Sequence, residues 1–456
     1  MKIRYRQIFS WLFWGLAGLS LTTVCQAQQP GQPKLSIDQA IQIAMTHSLQ
    51  RQVAQDDVKI ARDKVTQTVS AYGPKLTIDG GFFHYNELPT TVKLAQGLAD
   101  LNNGLSNYHL PGLSYQNGPS DALDYYGYQA QLTQPLYTGN KLTATNKQAK
   151  ANEANARANL VAKDNDLALS VKKAFYTVLL CQQLKVTMDE AVASMENHLK
   201  EANAYYKADL VPQLDVLRAE GKLADLKQKQ LLAQNNLALA KASFNFVVGV
   251  DPATVYEFDD QMGCGTLPET LNACQAEALT LRPELEAANA KIEMARQAIV
   301  IAKSGNKPTV ALVANGHHFE PETESPSVKI GLIASLQLYD SGMIRHQVTE
   351  TEDTLKQALT GKELLRRGIQ LEVEQAYRNA EVAAQTIKVA QKNLATAQET
   401  LRVAETRYKV GLSTSLERLD AEVGLTQAKT SHTQALSMYN IALAELERAI
   451  GKNNLK

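Results

Sequence analysis

The sequence predicts a mainly α, internally duplicated fold in which pairs of β-strands are set between very long helices. Three observations carry that reading. The stretch YKADLVPQLDVLRAE at 206–220 returns as YKVGLSTSLERLDAE at 408–422. The same offset of 202 residues places Leu136-Tyr137 on Leu338-Tyr339, Phe175 on Tyr377 and Gly249 on Gly451, so one unit of roughly two hundred residues occurs twice. Neither Gly nor Pro interrupts the chain between Gly139 and Pro212, room for a continuous helix about 100 Å long. Four further segments alternate apolar and polar residues with the period of a half-buried strand.

The chain opens with Lys2, Arg4 and Arg6 ahead of an apolar run from Ile8 to Val24, then Cys25-Gln26-Ala27. This pattern predicts a secretory signal peptide over 1–27, cleaved after Ala27. Cys25 offers a second processing route as a lipid-modified cysteine, but Val24 before it is a poor fit. The 47 basic and 47 acidic residues balance. Nothing suggests nucleic-acid binding, which wants a basic face. Beyond the leader no apolar run reaches the ~18–20 residues of a membrane-spanning helix, so an exported chain is either soluble or crosses a membrane as a β-barrel.

The organisation read from the pattern is a first repeat over 28–250, a connector over 251–269 and a second repeat over 270–456. Residues 36–71 carry helical spacing, with Ser36 or Asp38 able to cap the start and Gly73-Pro74 ending it. The matching helix covers about 270–304. The first repeat has extra sequence rich in Gly and Asn around 97–119, which reads as a surface loop. Leu76, Ile78, Gly80 and Phe82 share one strand face, as do Tyr126, Tyr128, Ala130 and Leu132. The second repeat gives Val310, Leu312 and Ala314, then Val328 to Leu338 in alternation, so the strands form two hairpins. Their length and their terminal aromatics, including Phe82, Phe83, Tyr85, Tyr125, Tyr137 and Tyr339, suit a membrane barrel; a soluble sandwich edge has the same alternation. Four strands cannot close a barrel, so that reading demands oligomerisation.

The long helices follow heptad-like steps. Leu160, Leu167, Val171, Ala174, Val178, Cys181, Met188, Val192, Met195, Leu199 and Tyr206 form the first seam, and Ile369, Val373, Ala376, Ala380 and onwards to Tyr408 the second. The second is richer in Ala and thinner, and Gly361 and Gly368 mark a candidate bend. Shorter helices return over 213–248 and 414–450, ended by Gly249 and Gly451. Each copy of the repeated stretch is therefore a helix–turn–helix tip. Cys264 and Cys274 bracket a loop and could pair in an oxidising compartment. His317-His318 lacks nearby ligands other than Glu320, which argues against a metal site. No nucleophile motif, phosphate loop or zinc spacing appears, so the residues point to neither an enzyme nor a cofactor.

Signal peptide, duplication, strand pairs, heptad helices and paired tips together resemble the TolC-type outer-membrane efflux proteins, over essentially the whole mature chain. VGLSTSLERLDAE at 410–422 is the most specific match. The resemblance implies a homotrimer in which four strands per protomer make a twelve-stranded outer-membrane β-barrel, continued by a long coiled-coil α-barrel in the periplasm. It also implies a periplasmic adaptor (membrane fusion) protein docked at the tips and an inner-membrane pump of RND, ABC or MFS type. By position, Leu210, Val211, Gly411, Leu412 and Ser413 would face the adaptor. Glu417 and Asp420 would ring the closed entrance, attracting cations, and Asp215 and Tyr408 would link neighbouring coils in the closed state. Two departures stand out: Ser413 replaces an Arg found in some members, and Asp209 stands where Gly is usual. On the residues alone, Arg418 could neutralise Glu417 and Asp420 along a solvated face, and Arg218 could pair with Asp215. Two other functions fit the same pattern: the exit channel of a type I protein secretion system, and a soluble periplasmic coiled-coil scaffold.

Overall fold

The structure, a computed structural model, describes residues 34–84, 124–258, 262, 265–268, 270–320 and 327–452. The leader with Cys25, the 97–119 loop, Tyr85 and Cys264 lie outside the described residues. In chain order the elements are α1 (Ile37–His47), α2 (Leu49–Ser70), β1 (Lys75–His84), β2 (Asp124–Tyr137), α3 (Lys141–Lys207) and α4 (Gln213–Val248). The second repeat follows with α5 (Leu271–Leu281), α6 (Pro283–Lys303), a 3₁₀ turn at Ser304–Asn306, β3 (Thr309–Glu320), β4 (Ser327–Ser335), α7 (Met343–Lys409) and α8 (Ser415–Ile450).

Both long helices are unbroken, at 67 residues each. All named positions of the second seam are at least half-buried, and Gly361 and Gly368 sit within continuous helix. In the first seam Tyr206 is the exception, exposed where its repeat partner Tyr408 is buried. Arg407 precedes that partner in the second repeat, whereas in the first Tyr205 precedes Tyr206 and is the one that turns inward, with its ring 5.9 Å from that of Tyr408.

The flanking helices differ from expectation in being pairs. The first breaks at Ser48, which ends α1 and accepts the Arg51 N–H as N-cap of α2; the second breaks at Arg282, ahead of Pro283 at the first turn of α6. Each break receives the end of a return helix. Gly249 caps α4 at φ 83, and a Cβ there would lie 2.8 Å from the His47 carbonyl oxygen; Gly451 caps α8 at φ 85 against Leu281. Only glycine combines that backbone with that approach. Of the two residues offered for the first cap, Ser36 is the one used, in a capping box with Gln39.

Two cores hold the junctions. Phe175 and Phe244 pack with Phe258 of the connector, at ring distances of 5.5 and 5.0 Å from it, beneath α1. Leu35 joins Phe258 in a parallel bridge, so the connector is tied to the start of the chain. The second core sets Cys274 and Ala278 of α5 against Ile369 and Val373 of α7 and Leu446 and Ile450 of α8.

The four strands form one antiparallel sheet in the order β1-β2-β3-β4, so the two hairpins are joined through β2 and β3. β4 stops at Ser335, short of Leu336 and Leu338. The register gathers the apolar alternations on one side: Leu76, Leu132, Ala314 and Ile330 lie in one row and Ile78, Ala130, Gly316 and Val328 in another. Thr77, Gln131, Asn315 and Lys329 make a row on the opposite side. Among the described residues nothing covers the apolar side, where Ile78 is 70% exposed and Ile330 73%. His317 and His318 are adjacent on β3 and so point to opposite faces, which prevents them from sharing an ion.

Below the sheet the protomer is a layer four helices wide. Near the sheet the order is α2, α3, α6, α7; nearer the tips it is α4, α3, α8, α7. Among the described residues, nothing packs on the outer apolar stripes of the edge helices α4 and α7. On α4 Leu232, Leu239 and Phe246 recur at sevens, and on α7 Leu364 and Leu371, then Val382 and Val389, do the same.

Candidate functional site at the helical tips

The two tips are built on the same turn. Asp209 adopts φ 59 in the first, where the Leu210 N–H donates to the Tyr205 carbonyl at 2.9 Å. Gly411 adopts φ 74 in the second, where the Leu412 N–H donates to the Arg407 carbonyl at 2.8 Å. The exchange of Gly for Asp leaves the turn intact because Asp tolerates the left-handed region better than most side chains. Leu210 and Leu412 project into solvent, 70% and 69% exposed; Gly411 is exposed beside them, and Val211 and Ser413 are half-buried.

Thr414 caps α8, and the Ser413 hydroxyl donates to Glu417 at 2.6 Å. Ser413 thus steadies the Glu417 carboxylate by a neutral donor. Glu417 and Asp420 are exposed and line one groove between α7 and α8, floored by Ala404, Ala421 and Gly424.

Arg418 does not neutralise that pair. It is 5% exposed and turns inward, pairing with Glu201 of α3 and lying 3.8 Å from Glu405 of α7, with its guanidinium 5.5 Å from the centre of the Tyr408 ring. His198 of α3 is fully buried beside it, sharing a 3.2 Å hydrogen bond with the Ser415 hydroxyl and a ring contact of 5.7 Å with Tyr408. Burial, with Arg418 adding to it, lowers the His198 pKa to about 4, so the ring is neutral at pH 7. Burial raises the Tyr408 hydroxyl and the Glu422 carboxyl above their ordinary values. Asp215 is half-buried, 3.8 Å from Arg218, and the Tyr408 hydroxyl has no hydrogen-bond partner among the described residues. The two groups expected to link coils are thus close enough to interact electrostatically but are not bonded to each other within one chain.

Sequence reading missed Arg418, His198, Glu201 and Glu422 as one cluster. The repeat held the signal: the residue 202 positions before Arg418 is Val216, itself buried, so an arginine stands where the fold requires an inward side chain.

The histidine gives the tip an acid dependence. Its folded pKa lies below the ordinary 6.5, so its contribution to packing is complete above pH 6.5 and is lost as pH falls towards about 4. At pH 5 the loss is on the order of 2 kcal/mol. Glu422 opposes it, because a raised carboxyl that takes up a proton favours the packed state. The protection factors of the amides in Met195–Ala202, with the pH dependence of intrinsic exchange divided out, are expected to fall between pH 6.5 and 4.5, and His198→Gln is expected to flatten that fall.

Comparison with known proteins agrees with this architecture. Residues 40–250 and 275–452 match the sequence profile of the outer membrane efflux proteins. The chain is 24% identical to the outer membrane protein TolC of Escherichia coli K12 over 365 residues, 75% of this chain and 73% of TolC. It is 22% identical to the outer membrane efflux protein BepC of Brucella suis over 331 residues, 71% of each. The fold superposes on the outer membrane protein VceC of Vibrio cholerae with a TM-score of 0.72, at 18% identity, covering 91% of this chain and 96% of VceC. The profile spans both repeats, and the chain belongs to the outer membrane efflux protein family.

Proposed function

We propose that this chain is one third of a passive exit duct in the outer membrane of a Gram-negative bacterium, a homotrimer opened at its periplasmic tips by an adaptor and an inner-membrane pump that export small molecules. The observation that carries the reading is a set of matched open edges. Among the described residues, strands β1 and β4 each lack a partner on one side, and helices α4 and α7 each present an unpaired apolar stripe. Rotation by thirds about one axis brings β4 to β1 and α7 to the next protomer's α4, giving twelve strands and twelve helices around a lumen. The uncovered apolar face of the sheet then meets lipid and its polar face meets water, an arrangement a soluble scaffold has no use for.

The duct uses no energy of its own. Substrate passes through a water-filled lumen, and the coupling belongs to the partners. Glu417 and Asp420 from three protomers place six carboxylates at the entrance, where they favour cations. Leu210, Val211, Gly411, Leu412 and Ser413 form the adaptor-facing rim. Replacing Gly411 and Leu412 together by Glu is expected to abolish export while trimers still assemble in the membrane, read by drug susceptibility beside native gel mobility. Export at the unaltered level would remove the docking role from this tip.

A further inference from the structure

Above the tip, where α3, α4 and α8 meet, the helices line a half-open cavity of about 310 Å³. Its walls are apolar over most of their extent, with Cys181, Leu184 and Met188 at one end and Met195 and Leu226 at the other. Its lining comes from α3, α4 and α8 and includes Leu232 of the outward stripe of α4, so its rim reaches the edge where a neighbouring protomer would pack. Glu422 lines it, 4% exposed; apart from the Ser194 hydroxyl, nothing among the described residues donates to its carboxylate. Ser194 and Arg418 lie near enough to favour the ionised form, but burial outweighs them.

The charges around the cavity decide what it would take. Lys222 and Lys229 also line it, yet both are already engaged by Asp225, at 3.3 and 3.1 Å. Arg418 serves Glu201 and Glu405 before it serves Glu422, so three carboxylates share one guanidinium. The unmet demand is for a cationic donor at Glu422, at the edge of an apolar chamber. A buried acceptor without a sufficient donor carries a desolvation cost, larger when charged, and an occupant that donates to it recovers that cost.

We propose that this cavity binds a small apolar amine, whose ammonium donates to Glu422 while its hydrocarbon body lies along Met188, Met195 and Leu226. A cavity of this size holds a ligand of about ten to fourteen non-hydrogen atoms. The site is distinct from the acids at the tip groove, since Glu417 and Asp420 are exposed and line a different depression. An occupant touches α3, α4 and α8 at once and so fastens one coiled-coil pair to the other.

The test uses 4-phenylbutylamine on the purified, detergent-solubilised full-length protein, with 4-phenylbutanol and 4-phenylbutyrate as the neutral and anionic counterparts. Equilibrium dialysis measures binding, and maleimide labelling of Cys181, followed by peptide mass spectrometry, places it. The amine is expected to bind saturably and to slow Cys181 labelling, and the alcohol and the acid are expected to bind at least about tenfold more weakly. Glu422→Gln should reduce amine binding to the level of the alcohol. Met188→Trp, which fills the chamber and leaves the acid in place, should abolish binding of all three. Equal binding of amine and alcohol, tighter binding of the acid, or amine binding that survives Met188→Trp overturns the proposal.

Discussion

A single glutamate in place of Leu371 or Val389 is expected to leave this protein monomeric. Both side chains lie on the outer stripe of α7, 56% and 70% exposed in the protomer, and neither contributes to the protomer's own cores. In the proposed trimer each faces the α4 edge of a neighbour, and each substitution is repeated at all three interfaces. A carboxylate buried without a partner costs several kcal/mol even after relaxation, so threefold repetition exceeds what the remaining contacts supply. The fold of the isolated chain should persist, because position 371 is exposed on it. Size-exclusion chromatography with light scattering checks the mass, and circular dichroism checks that helix content is unchanged. Trimers from both variants would place the interface elsewhere.

Arg418→Ala is expected to have the second large effect, at the tip. The substitution leaves Glu201 and Glu405 without their cation and takes away the group stacked on Tyr408. Both carboxylates are partly solvated, 41% and 35% exposed, so the loss falls well short of the ~3–5 kcal/mol of a fully buried pair; the cation over the aromatic ring adds ~1 kcal/mol. Because the damage is confined to the junction of α3, α7 and α8, it should appear as tips that open more readily while overall assembly is kept. Limited proteolysis within 205–215 and 407–415 is expected to accelerate at least about tenfold, the equivalent of 1.4 kcal/mol. Arg418→Lys should restore part of the protection by returning the charge without the planar fork. Proteolysis at the wild-type rate in the alanine variant would mean that the ion cluster does not hold the tip.

Much of this architecture was legible in the sequence because it is periodic. The 202-residue offset, the heptad steps to Tyr408 and the alternation at Leu76–Phe82 all survive as built elements, since burial on one face imposes its period on the residues. What was not legible was decided by contacts between distant segments. Nothing local announces that Ser48 ends one helix and caps the next, because the break is matched to Gly249 some two hundred residues later. The merging of two hairpins into one sheet is likewise a long-range pairing of β2 with β3. At the tip, Glu417 and Asp420 could be placed by position, whereas the inward turn of Arg418 depended on acids from α3 and α7 that no local pattern connects. His198 belongs to no motif, and it is among the most buried side chains of the described residues.

The central claim is that these chains assemble into a water-filled duct with an acidic entrance. Single-channel recording in a planar lipid bilayer tests it most directly, comparing the purified wild-type protein with Glu417→Ala/Asp420→Ala. The account predicts a small cation-selective conductance in the wild type and a larger, less selective one in the double variant. A protein that extracts without detergent and forms no pore under any condition would contradict it.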